Sequence, residues 1–130
     1  SKLFKVENEN FPYLEKTNSY KDFINCTYIE GLIKKDFEKI LFYESIEYKL
    51  SSINLVINEI IVETHFFELI NKNITSELWS FNKWKIKYEV FSCIAAEEWM
   101  TLFNKYKNNP EKAELYWDKI LENAKIRIKE

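Results

Sequence analysis

From Lys83 to Val90, charged and apolar residues alternate without a break: Lys83-Trp84-Lys85-Ile86-Lys87-Tyr88-Glu89-Val90. Alternation of period two is the mark of a half-buried strand, because successive side chains point to opposite faces. A helix would gather Trp84, Tyr88 and Phe91 but leave Ile86 and Val90 off that face. The pattern therefore predicts a strand, and the expected fold class follows from it.

The surrounding block supports the same expectation. Between Lys39 and Phe91 there is no alanine, and Ile, Val, Thr, Phe, Tyr and Trp fill 24 of 53 positions. That composition suits a pleated surface. It predicts a three-stranded antiparallel meander, about 39–91, with strands near 39–50, 54–70 and 74–91. Strands of that length need bulges or breaks. Turns are expected near Ser51-Ser52 and at Asn71-Lys72-Asn73, since Asn tolerates left-handed backbone. Centring the second hairpin on Lys72 sets Glu59 opposite Lys85. Val56, Ile60, Val62 and Phe66 then share a face with Trp84, Ile86, Tyr88 and Val90. Glu59, Glu63 and His65 share the other with Lys83, Lys85 and Lys87.

The flanks differ. Residues 1–18 lack periodicity and contain Phe11-Pro12, so an irregular arm is expected there. An N-terminal helix is expected from Ser19, with Phe23, Tyr28 and Leu32 inward and Gly31 near a helix end. Residues 34–38 extend or restart it. After Ser92, a good N-cap, Ala95, Trp99, Leu102 and Tyr106 follow helical spacing. Asn109-Pro110-Glu111 is a helix start: Asn caps, Pro takes the first position and an acid follows. The last helix, about 110–128, would have an apolar face of Ala113, Tyr116, Trp117, Ile120, Leu121, Ala124 and Ile128. The two helices should form an αα-hairpin packed on the sheet, giving an α+β fold. The alternative is an all-α bundle, suggested by scarce Gly and Pro and by heptad spacing of Phe81, Trp84, Tyr88, Phe91 and Ala95.

At 130 residues the chain has the length of one domain. Aromatics make up 17%, which points to a core of rings. The net charge of −2 divides evenly, with 8 basic and 11 acidic groups in residues 1–65 and 11 and 10 in the rest. Neither half is a basic footprint, so nucleic acid and anionic membrane are disfavoured partners. The absence of a membrane-spanning apolar run and of a signal-peptide pattern leads to the expectation of a cytoplasmic protein. Cys26 and Cys93 are then expected to be buried free thiols.

Candidate chemistry is sparse. One glycine and one histidine leave no phosphate loop, dinucleotide fingerprint or polyhistidine metal site, so no cofactor or metal is expected. A Cys93–His65 nucleophile pair has no support beyond the presence of both residues. Glu59, Glu63 and His65 would project to one side of a strand, the first ingredient of general acid–base work. A salt-bridged sheet face explains the same pattern. In the last helix Glu111, Glu114, Asp118 and Glu122 are spaced 3, 4 and 4, forming an acidic stripe along one side. Its plain reading is a solvated face, and its functional reading is a docking surface for a basic protein.

Without a catalytic motif, a binding protein is expected rather than an enzyme. The leading expectation is an inhibitor of the immunity or antitoxin kind, covering the active site of a basic toxin or nuclease. Glu111, Glu114, Asp118 and Glu122 would mimic phosphate there. The alternative is a small-molecule-binding or enzymatic α+β domain using Glu59, Glu63 and His65.

Overall fold

The computed structural model describes residues 1–17, 19, 21–70 and 72–129. Helices and antiparallel strands are both present, so the fold is mixed α+β. In order the elements are β1 (Lys2–Val6), β2 (Pro12–Glu15), α1 (Lys34–Glu44), a short 3-10 turn (Ser45–Glu47), β3 (Tyr48–Ile57), β4 (Ile60–Leu69) and β5 (Ile74–Leu78). They continue with α2 (Phe81–Met100), α3 (Phe103–Tyr106), α4 (Pro110–Glu114) and α5 (Trp117–Lys129).

The strands form two sheets, ordered β2-β1-β5 and β3-β4, all pairs antiparallel. The expected meander is thus replaced by a hairpin and a separate sheet built on the N-terminus. The 1–18 segment is not an irregular arm, since β1 is the central strand of its sheet. Pro12 begins β2, an edge position where its missing N–H is tolerated. The strand β1 reaches β5 across some 70 residues, and no local pattern in residues 1–18 announces a partner that distant.

The segment from Lys83 to Val90 lies inside α2, not in a strand. Ser80 caps this helix by accepting the Lys83 N–H (3.3 Å). Trp84, Tyr88, Phe91, Ala95 and Trp99 recur at 4, 3, 4 and 4 and turn inward, while Ile86 stays 89% exposed. Twenty residues of helical spacing outweigh eight of alternation. The capping role expected of Ser92 belongs to Ser80, and Ser92 is mid-helix.

The hairpin turn is not at Ser51-Ser52, which lie within β3, but at Asn58-Glu59. Both residues have positive φ, 48° and 67°, as the tightest two-residue hairpin requires. Its register pairs Ile57 with Ile60 and runs unbroken to Tyr48 and Leu69. Asn54 therefore faces Glu63 and Ser52 faces His65; the lysines of 83–87 face neither. The loop expected at Asn71-Lys72-Asn73 falls partly on Asn71, outside the described residues; β4 and β5 lie in different sheets.

No helix occupies residues 22–33; α1 begins at Lys34. The imperfect apolar spacing there gives no continuous face, and Phe23, Ile29 and Ile33 are exposed. Gly31 does have positive φ, 77°. The restart at Pro110 follows the expected chemistry, with Asn109 before it and Glu111 in the first turn. Residues Leu115 and Tyr116 make tight turns to Lys112 and Ala113, dividing the last helix into α4 and α5.

The largest core cluster is helical: Phe42, Ala95, Trp99, Phe103, Ala113, Ile120 and Ala124. Phe42 of α1 stacks on Trp99 at 5.0 Å, and Phe103 meets it edge-on at 5.6 Å. The Trp99 indole N–H donates to the Phe42 carbonyl (3.1 Å), so its polar atom is satisfied inside the core. Ala113 and Ala124, both fully buried, let backbones approach. The C-terminal helices pack on one another and on α1, and the core cluster they form contains no strand residue. A hydrophobic helix face takes whichever apolar partner closes over it.

Candidate functional site

A cleft of about 930 Å³ opens where four segments meet. These are the turn after β1 (Asn8, Glu9, Asn10, Phe11), the end of α1 with its 3-10 turn (Tyr43 to Tyr48), the inner side of α2 (Trp84 to Trp99), and α4–α5 (Glu114 to Lys125). Long-range polar contacts hold these walls. The Trp79 indole N–H donates to the Asn10 carbonyl (2.9 Å), tying the β1–β2 turn to the entry of α2. The Ser45 hydroxyl donates to Glu114 (2.5 Å), tying the 3-10 turn to α4. Lys72 bridges Glu47 (3.1 Å) and Glu9 (3.3 Å).

The lining has two chemistries. Phe11, Tyr43, Tyr48, Trp84, Tyr88, Phe91, Trp99 and Trp117 supply rings; Glu9, Glu44, Glu47, Glu114 and Asp118 supply carboxylates against Lys72 and Lys125. Trp84, Tyr88, Phe91 and Trp99 reach it together because their spacing puts them on one side of α2. Tyr48 sits beside Phe11 with ring centroids 6.4 Å apart, and Trp117 meets Trp99 edge-on at 5.7 Å.

Burial pushes the Glu44 carboxyl up to about 6. The Tyr48 phenol is held above its ordinary value, first by burial and then by the negative charges of Glu44 and Glu47. Tyr43 is raised by burial and by Glu44. Lys72 is raised chiefly by its hydrogen bond to Glu47. Three of these shifts come first from burial, which disfavours an ionised carboxyl or phenol; only that of Lys72 comes first from a carboxylate partner. Carboxylates among ring faces suit a guanidinium or ammonium group, which pairs with the first and stacks on the second. Among the described residues no three His, Cys, Asp or Glu side chains converge as a metal site.

Of the acidic stripe, Glu114 and Asp118 line the cleft, whereas Glu111 and Glu122 do not. The interruption at Leu115-Tyr116 falls between Glu114 and Asp118, yet both still reach the cleft. Glu59 stands in the hairpin turn, and Glu63 and His65 are exposed on β4. None of these three touches the cleft. Cys93 lies on α2 and His65 on β4; both cysteines are free and exposed rather than buried. Sequence reasoning missed Glu44, Glu47, Tyr48 and Lys72, which carry no local signal and meet only through the tertiary fold. The heptad spacing of the α2 rings was a signal for the aromatic wall.

No helix among the described residues is long and apolar enough to cross a membrane. No family model, curated protein or solved structure matches the chain.

Proposed function

We propose that the chain is a protein-binding inhibitor of the immunity or antitoxin kind, which neutralises a basic partner by seating a basic segment of it in the cleft. The partner's active site, that of a toxin or nuclease, would be covered in the process. The observation that carries this reading is the cleft lined by five carboxylates, two lysines and eight rings. Glu114 and Asp118 would contact the seated cation directly, while Glu111 and Glu122, outside, would steer the approach. The rings supply anchors of the kind that dominate protein interfaces. Two exposed unpaired thiols favour a reducing, cytoplasmic setting.

An oligo-arginine peptide is a suitable probe, since Trp84, Trp99 and Trp117 all line the cleft. Saturable quenching of tryptophan fluorescence is expected, weakening with salt and absent with oligo-glutamate. Glu44→Gln combined with Asp118→Asn should weaken it about tenfold. Glu111→Gln with Glu122→Gln should mainly slow association. Quenching indifferent to the cleft variants would remove the cleft from the reading.

Glu44 titrates near 6 in the fold, above the ordinary carboxylate range. Its protonated form is the one the fold prefers, so its stabilising contribution is complete at about pH 4 and is lost as pH rises through 6. The difference is roughly 1 kcal/mol, allowing for the part of the group open to water. Cation binding runs the other way, strengthening as pH rises through 6 and Glu44 ionises. Glu44→Gln should flatten both profiles, measured by urea denaturation and by peptide titration.

A further inference from the structure

We propose that the outer edge of β4 pairs with the same edge of a second copy of this chain, forming an antiparallel sheet β3-β4-β4-β3 about a two-fold axis at Thr64. The hairpin is long, ten residues in each strand, and its sheet has only two strands. A two-stranded ribbon is marginal in water without a further strand or a covering layer. Both of its faces carry apolar side chains, and Val56 and Ile61 are 76% and 71% exposed.

The two edges differ. Ile57 and Ile60 flank a two-residue turn, so they exchange hydrogen bonds, and the alternation that follows turns the backbone of Ile61, Glu63, His65 and Phe67 away from β3. On the β3 edge the Lys16 ammonium donates to the Ser52 carbonyl (2.6 Å), and it also lies over the face of the Phe66 ring of β4, 5.3 Å from its centroid. Lysine on an edge is a common block against strand addition. The β4 edge from Ile60 to Phe67 has no Lys, Pro or bulge. β2 comes close to β4, but among the described residues no backbone bond joins them.

The sequence of β4 is complementary to itself. Antiparallel pairing centred on Thr64 sets Glu63 opposite His65 of the second copy and Ile61 opposite its Phe67, each pair occurring twice. Sliding by one hydrogen-bonding step either way sets Glu63 opposite Glu63 or His65 opposite His65, and loses the acid–imidazole match. Glu63 and His65 thereby acquire a role across two molecules.

Sedimentation equilibrium tests the proposal. The unmodified chain should form a dimer that dissociates on dilution. His65→Glu alone and Glu63→His alone should each raise the dissociation constant about tenfold, since every altered pair is doubled by the axis. The double variant Glu63→His with His65→Glu should restore it. In a Cys26→Ser, Cys93→Ser background, Thr64→Cys should give a covalent dimer under a mild oxidant, because facing Cβ atoms across the axis lie about 5 Å apart. The cross-link keeps the test open if a charge variant loses its circular dichroism. A chain monomeric at every concentration, including one that accepts only another protein's strand, would overturn the proposal. So would a dimer unmoved by the single variants, unrestored by the double variant, or never cross-linked at residue 64.

Discussion

The helix α2 and the hairpin β3-β4 both contain alternating apolar and polar positions, and they fold differently. In α2 the alternation spans eight residues but overlies ring spacing that holds from Trp84 to Trp99. A serine cap stands at its start, and apolar partners wait on α1 and α5. In the hairpin the alternation runs through β-branched residues on both sides of a turn that Asn58 can enter. The first region buries Ala95 and Trp99 and half-buries Trp84, Tyr88 and Phe91; the second leaves both faces partly wet. A short pattern is decided by its wider context: the periodicity that continues longest, and finds something to pack on, prevails.

The comparison can be broken most sharply in the helical core. Trp99→Ala removes the stack on Phe42, the edge contact with Trp117 and the donor to the Phe42 carbonyl. A loss of about 3–5 kcal/mol is expected in urea denaturation. In the hairpin, Glu59→Gly should stabilise by about 0.5–1 kcal/mol, since Glu59 holds a positive φ of 67° that glycine adopts freely. A higher melting temperature with unchanged circular dichroism checks it. The smallest effect discriminates most finely: Ile86→Gln should change stability by less than about 0.5 kcal/mol, because Ile86 is exposed on α2. A loss of some 2 kcal/mol, as for a core strand residue, would contradict the helix.

Legibility followed the range of the interaction. The restart at Asn109-Pro110-Glu111, the left-handed Gly31 and the inward Ala113, Ile120 and Ala124 were readable, because caps, turns and spacing depend on neighbours in sequence. Tyr116, Trp117 and Ile128, expected on the same face, are exposed. The pairing of β1 with β5 was not, since Phe4 and Val6 meet residues some 70 positions away. Of the acidic stripe, Glu114 and Asp118 line the cleft and Glu111 and Glu122 do not, although the tight turns at Leu115 and Tyr116 fall between the first two. Glu44 could not have been chosen among the carboxylates, because its raised pKa comes from burial by distant segments.

By itself, the sequence determined that helices and strands would be mixed and where the last helix begins; the expected core of rings is met only by Phe42, Trp99 and Phe103, which share it with aliphatic residues and alanines. Only the tertiary structure decided that Lys83 to Val90 is helical. It also decided that the N-terminus supplies a central strand, and that carboxylates from three segments share one aromatic cleft. The physical reason is one of range. Capping and periodicity act over a few residues, whereas burial and the joining of distant charges exist only once the chain has closed on itself.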